Sequence, residues 1–392
     1  MLFIGVYYMW GNIFLLYVGG IRHMDMFILN PQQLISAGIS YLGTDYKYFF
    51  LSGKPDELNT IQRFLSGALS FRRFEDKVYF YGNSSELSDF LSRPTDNLEL
   101  NTLKTKITSY LEVNIDSISL PGSRKLSLDK PLIMGVINAT EDSFFSESRV
   151  IDEEVFFSKV SEMVTMGVDI IDIGGESSRP GSLPVSSEEE IKRIVPLIKR
   201  LRKSFDIPIS VDTYRMETAK AAFNAGADII NDISGLQFDT AMASFAAETK
   251  MPVVIMHIKG KPETMQQNPY YSDVLKEMKT YFEERIQYAL KNGIKRENLI
   301  LDPGIGFGKR LEDNLRILKN LDTLRVFGLP LLLGTSRKSF IGEVLKQKNP
   351  KDRLSGTLGT TALGVQKGVK IFRVHDVKEN REIADLVFNI IK

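Results

Sequence analysis

The chain contains no cysteine and only three histidines, His23, His257 and His375. The first absence excludes disulfides, thiolate metal sites and a cysteine nucleophile, and it fits a reducing, cytoplasmic setting. The scatter of the histidines excludes a three-histidine zinc centre of the usual kind. Net charge is almost missing as well, since 50 Lys and Arg against 49 Asp and Glu leave +1. Without a global field, no nucleic-acid partner is expected, and any anion must be held by a local basic cluster. No Gly-x-Gly-x-x-Gly turn follows the first long apolar run, so an open doubly wound sheet lacks its usual support. Met1 to Ile21 carries no charged residue at all. That stretch is long enough to just cross a bilayer, yet Gly5, Gly11, Gly19 and Gly20 weaken a helix, and a secretory signal would need a positive leading region. The reading preferred here is a start-site artefact, with translation beginning at Met24. Membrane contact is expected only if residues 1–23 are retained.

What is present is the composition of a globular protein, 43% hydrophobic and 25% charged. Residues 24–125 read as a small α+β domain of unassigned role. Lys47–Leu51 and Val78–Tyr81 are aromatic strand-like runs. Between them, Asp56–Leu69 has helical spacing at Leu58, Ile61, Leu65 and Leu69 behind Pro55, and Ser84–Leu91 is a second short helix. Pro121–Lys125 reads as a linker.

From residue 126 onward the pattern is strand, polar turn, helix, repeated. Pro131–Ile137, Asp169–Ile173, Pro208–Val211, Pro252–His257, Leu299–Leu301 and Pro330–Leu333 are apolar throughout or nearly so, as strands buried on both faces are. Helical spacing fills Glu188–Arg202, Met216–Ala225, Asp273–Lys291, Glu312–Asn320 and Leu354–Lys367. Residues 126–392 are close to the roughly 250 residues of a (β/α)8 TIM barrel. The expected fold is therefore α/β, such a barrel preceded by the small α+β domain. Each strand-like run ends in a polar cluster, and a closed barrel gathers these clusters at one rim, where its chemistry resides.

The clusters divide by chemistry. Asp212 and Asp302 close apolar runs and, with Asn231, match the amidine-like edge of a pterin- or guanine-type ring. The competing reading, in which such side chains cap the next helix or bond loop backbone, is weak for three strand ends at once. Arg373 and His375 stand two apart on the last run and share a side. Inside Ile371–His375 an unpaired Arg is costly, so an anionic partner is expected. With Lys338, they form the phosphate corner usual after strands seven and eight. Asn138 offers one oxygen to a hard cation such as Mg2+, which takes few protein ligands. For His257 a structural role is expected.

Taken together, Met134–Phe144, Asp172–Gly181, Ser210–Thr213, Asn231–Ser234, Leu301–Lys309, Ser336–Ser339 and Arg373–Val377 resemble the dihydropteroate synthases, over about two-thirds of the chain. The resemblance implies transfer of the pterin-methyl group of 6-hydroxymethyl-7,8-dihydropterin diphosphate to p-aminobenzoate, giving 7,8-dihydropteroate and pyrophosphate. It implies pterin binding by Asp212, Asn231, Met256, Asp302 and Lys338. It puts pyrophosphate near Asn138, Ser178, Arg179, Arg373 and His375, and p-aminobenzoate near Ser178, Arg179, Pro180, Phe307 and Ser336. Asp302, Lys338, Arg373 and His375 are the catalytic candidates, Asn138 the ligand of a Mg2+ cofactor, and a homodimer the assembly. Two positions depart from the family pattern: Glu141 stands for Pro, and Ser178 for Thr, which keeps the hydroxyl. A pterin-dependent methyltransferase barrel is the rival enzyme reading, but it has no need of the basic corner. A pterin-binding protein without catalysis is the rival from another class.

Overall fold

The computed structural model describes residues 24–28, 46–53, 55–74, 77–111, 115–139, 149–177, 182 and 184–392. The chain forms two compact units, Met1–Asn114 with Asp322–Gly328, and Ile115–Leu321 with Leu329–Lys392. The apolar leader, Met1 to His23, lies outside the described residues. Among the described residues, no helix is long and apolar enough to cross a membrane.

The first unit holds an antiparallel sheet in the order Met24–Ile28, Tyr46–Gly53, Lys77–Asn83, Ser70–Phe74. Burial alternates along Lys77–Asn83, and buried Phe80 stacks on Phe49 of the neighbouring strand with ring centroids 5.0 Å apart. The helix Pro55–Leu65 lays Leu58, Ile61 and Leu65 into the same core. Its expected continuation to Leu69 fails because Gly67 takes φ +77° just past the last turn, a left-handed stop, and Ser70 then opens a strand. The helix Ser84–Ser92 starts where expected, closed by a capping box between Asn83 and Glu86. The strands Met24–Ile28 and Ser70–Phe74 and the helix Leu98–Leu111 were not anticipated from the spacing.

The second unit begins with a hairpin rather than a linker. Ser117–Ser119 pairs with Lys125–Ser127 across the turn Pro121–Ser123. Buried Ile118, Leu120, Leu126 and Leu128 of this hairpin pack on Leu132, Ile170, Ile229, Val254, Ile300 and Ile371, the first or second residues of six strands. The hairpin thus plugs the N-terminal end of a barrel, each large apolar side chain contributing about 1.5–3 kcal/mol of burial.

Eight parallel strands make that barrel: β1 (Leu132–Asn138), β2 (Ile170–Gly174), β3 (Ile209–Asp212), β4 (Ile229–Asp232), β5 (Val253–Met256), β6 (Leu299–Asp302), β7 (Leu332–Leu333) and β8 (Ile371–Val374). Neighbours in the sheet run β6-β5-β4-β3-β2-β1-β8-β7. A parallel bridge between Leu301 and Leu331, with the Leu301 N–H donating to Pro330 O at 2.9 Å, closes β6 on the residue before β7. Helices follow the strands: α1 (Arg149–Thr165), α2 (Ser187–Ser204), α3 (Met216–Ala225), α4 (Ala241–Thr249), α5 (Val274–Lys291), α6 (Leu311–Lys319), α7 (Ser339–Leu345), α8 (Leu354–Gln366) and, after β8, α9 (Val377–Ile391). The α/β barrel expected from the sequence is the fold observed. Helices α1, α4, α7 and α9 were not among those expected from the sequence.

Candidate active site

The parallel register sets the polar strand ends side by side. Asn138 is level with Gly174, Gly174 with Asp212, and Asp212 with Asn231, a row across β1 to β4. On the far side Met256 of β5 is level with Asp302 of β6. A Cβ at Gly174 would lie 3.3 Å from the Asp212 Cβ, a tight approach.

One layer below that row stands Asp172, fully buried in β2. Its Oδ2 accepts from Arg373 Nε at 2.6 Å, and Arg373 Nη2 donates to Asp212 Oδ2 at 2.6 Å. The Asn231 amide reaches Asp172 at 3.3 and 3.4 Å. The anionic partner that the buried strand demanded of Arg373 is therefore a pair of carboxylates from β2 and β3. Burial works against the guanidinium charge, but Asp172 and Asp212 outweigh it and raise its pKa. Burial also dominates at Asp212, pushing its carboxyl up to about 7 against the pull of Arg373, with Asp172 adding repulsion.

On the opposite wall Asp302, 5% exposed, accepts the Gly304 N–H at 2.7 Å. Burial raises its pKa, while Lys338 and Arg373 oppose the rise. Burial pulls Lys338 down to about 8, against the attraction of Asp302. The Lys338 ammonium donates to the Ile305 carbonyl and lies 4.7 Å from the centroid of the Phe307 ring. Phe307 and Tyr214 both pack on an apolar patch of Ile233, Met256, Ile258 and Met265. A flat ring thus has an apolar wall beside carboxylates, an amide and an ammonium.

At the rim, His375 Nδ1 is 3.0 Å from Ser336 Oγ, which also accepts the His375 N–H at 3.2 Å. The protein around the imidazole, with positive Arg373 and Arg337, pushes its pKa down to about 4, so the ring is neutral at pH 7. Arg337 does not face this corner. It sits at φ +58° and forms a two-pronged ion pair with Asp376, tying the end of β7 to the end of β8. Asp232 accepts the Ser234 and Leu236 N–H groups at 2.7 and 2.8 Å and is a local loop anchor. His257 is buried, its ring edge-on to Tyr281 at 4.8 Å, and its Nδ1 has no hydrogen-bond partner among the described residues.

Ser178, Arg179, Pro180 and the segment with Glu141 lie outside the described residues. Among the described residues, Glu176 accepts the Val185 N–H at 3.1 Å and the Tyr214 hydroxyl at 2.9 Å, and pairs with Arg215 at 2.7 Å. Sequence reasoning gave Asp172 no role. The signal was there, because a lone charge inside the buried run Ile170–Gly174 requires a partner.

The pterin-binding enzyme family matches residues 134–375. The dihydropteroate synthase of Synechocystis sp. is 45% identical over 251 residues, covering 64% of this chain and 87% of that protein. The dihydropteroate synthase of Escherichia coli is 43% identical over 265 residues, covering 67% and 92%. Among solved structures, Yersinia pestis dihydropteroate synthase with a sulfonamide drug complex aligns with a TM-score of 0.66 at 38% identity, over 69% of this chain and 98% of that one. Xanthomonas albilineans dihydropteroate synthase with 4-aminobenzoic acid aligns with a TM-score of 0.66 at 36% identity, over 70% and 98%.

Proposed function

Because the chain belongs to the dihydropteroate synthase family of pterin-binding enzymes, we propose that it joins 6-hydroxymethyl-7,8-dihydropterin diphosphate to p-aminobenzoate. The observation that carries this reading is the convergence of Asp172, Asp212, Asn231 and Arg373 from four strands, facing Asp302 and Lys338. Asp212 and Asp302 accept N–H groups of the pterin, and Asn231 supplies a donor and an acceptor. Lys338 donates to the ring from the other wall.

The reaction breaks the C–O bond between the pterin methylene and the diphosphate and forms a C–N bond to the aromatic amine. The electron pair leaves with the diphosphate, and the amine gives up one proton. Arg373 stabilises charge growing on the leaving oxygens, anchored meanwhile by Asp172 through Nε. Neutral His375, oriented by Ser336, donates a hydrogen bond to the same group. The carboxylates favour positive charge developing on the pterin. An aromatic amine is already neutral at pH 7, so attack requires no strong base.

Mg2+ fits this corner in one way. Asn138 ends β1 with a carbonyl oxygen level with Gly174, and the described residues hold no cluster of three acidic or histidine ligands. A cation held by Asn138 would take its other oxygens from diphosphate and water, the habit of Mg2+, and would neutralise charge on the leaving group. Phe307 and Ser336, with Ser178, Arg179 and Pro180, receive p-aminobenzoate. The lack of cysteine supports a cytoplasmic setting. Exposed Leu386 and Ile390, one turn apart on α9, support self-association as a homodimer.

Incubating the purified chain with the pterin diphosphate, p-aminobenzoate and Mg2+ tests the proposal. Dihydropteroate and pyrophosphate should appear in equal amounts; release of neither would reject it.

A further inference from the structure

Lys309 is a charged residue that the scheme above leaves unused. Its side chain is buried, and its ammonium donates to three backbone carbonyls: Gly304 at 2.8 Å, Phe307 at 2.9 Å and His257 at 3.1 Å. An ammonium has three N–H donors, so each one is used. Two of the acceptors lie in the loop that follows β6, and the third lies just past the end of β5. Burying an ammonium is costly unless its donors are paired. Burial holds its pKa well below the usual lysine range, and Asp302 and Asp313 oppose that fall by favouring the charge.

The loop gathered around this ammonium has an unusual backbone. Gly304, Gly306 and Gly308 have φ of +61°, +84° and +60°. A Cβ at Gly304 would lie 2.1 Å from His257 O, and one at Gly308 would lie 2.3 Å from Lys259 O. These turns aim the carbonyls of Gly304 and Phe307 at Lys309, while the Ile305 carbonyl accepts from Lys338. The Phe307 ring lies under the same Lys338 ammonium. One short arc of backbone is thus bonded to Lys309 and to Lys338. Two further bonds tie the arc to the loop after β5: the Tyr271 hydroxyl donates to Gly308 O at 2.8 Å, and Gln266 Nε2 donates to Gly306 O at 2.6 Å.

We propose that Lys309 is a positioning residue, whose ammonium sets the curvature of the Gly304–Gly308 loop and thereby holds Phe307 and Lys338 at the substrates. This rests on the substrate roles given to Phe307 and Lys338 above. Removing the ammonium frees the two carbonyls to turn outward, which loosens the Phe307 ring and the Ile305 anchor of Lys338 together. The charges facing Lys338 are Asp302, Arg373 and Asp212. Loosening the loop opens the buried Lys338 to water, and relief of the burial that holds its pKa down raises the pH at which Lys338 gives up its proton.

The test compares the wild type with Lys309→Met and Tyr271→Phe, measuring dihydropteroate formation with each substrate varied from pH 6 to 9.5, beside thermal melting. Lys309→Met should raise the KM for p-aminobenzoate about tenfold, with a smaller loss in kcat. It should also move the alkaline limb of kcat/KM for the pterin to higher pH, which a merely destabilised fold would not do. Tyr271→Phe keeps the ring and loses one loop bond, and should raise the same KM about threefold. It decides the matter if Lys309→Met does not fold. Wild-type KM values and an unmoved alkaline limb in the folded variants would overturn the inference while leaving the functional reading intact. A wild type that makes no dihydropteroate would overturn the functional reading and the inference with it.

Discussion

Arg373→Ala tests the centre of the site, and its consequences differ from what a phosphate-only role for Arg373 implies. A residue devoted to the diphosphate would leave pterin binding nearly intact when removed. In the structure Arg373 also lies 2.6 Å from both Asp172 and Asp212, beneath the expected pterin floor. Its removal deletes two charge-assisted bonds, each about 1.5–3 kcal/mol, and leaves two neighbouring carboxylates without their shared cation. Stranding a buried charge costs about 3–5 kcal/mol, but protonation of Asp212 limits the penalty, because its carboxyl already titrates near 7. Without Arg373 that pKa rises further, so Asp212 is mainly protonated at pH 7 and presents a weaker acceptor to the pterin. Affinity should fall about ten- to a hundredfold, or roughly 1.4–2.8 kcal/mol. The sign with pH follows: affinity of the variant recovers as pH rises through the new Asp212 pKa, while that of the wild type changes little above pH 8. Titration calorimetry from pH 6 to 9 with 6-hydroxymethyl-7,8-dihydropterin, which lacks the diphosphate, isolates this effect from phosphate contacts. Unchanged or tighter binding at pH 7 would refute the reasoning, showing that Arg373 competes for the floor instead of supporting it.

Three other outcomes are expected. Turnover of the wild type should follow a narrow bell in pH: it rises as Asp212 ionises near 7 and falls as Lys338 loses its proton near 8, and Lys338→Arg should remove the alkaline fall from a kcat/KM profile. Gly304→Ala should cost about 3 kcal/mol in a thermal melt, because its Cβ would strike His257 O from a left-handed backbone, whereas Gly67→Ala, with open space around it, should cost about 1 kcal/mol. Chelating Mg2+ should abolish turnover yet leave the melting temperature of the substrate-free protein unchanged, since Asn138 alone contributes little affinity before diphosphate arrives.

Most of the barrel was legible because its signals are local. A parallel strand covered on both faces must be apolar throughout, and Ile170–Gly174 and Leu299–Asp302 are buried at every position. Helices with one apolar stripe, such as α2 and α6, declare themselves by period, although α9 has such a stripe and was not read. Short strands such as Ser70–Phe74, with two arginines among five residues, exist because a neighbour pairs with them. Nothing local announces that.

The sequence by itself determined which polar groups end which strands, and that an Arg373 set in an apolar strand run needs an anionic partner. Only the tertiary structure decided who that partner is. The register of β1 to β4 makes Asn138, Gly174, Asp212 and Asn231 neighbours although they are far apart in the chain. Closure of the sheet then carries Arg373 of β8 across to Asp172 and Asp212. The same distinction applies to Lys309. Its charge is plain in the sequence, but two of its carbonyl acceptors come from a loop with three left-handed glycines and the third from just past the end of β5, which the pairing of β5 with β6 brings alongside. Strand periodicity records which side of the sheet a residue faces, and contacts across a closed barrel depend on shear and closure, which no single segment encodes.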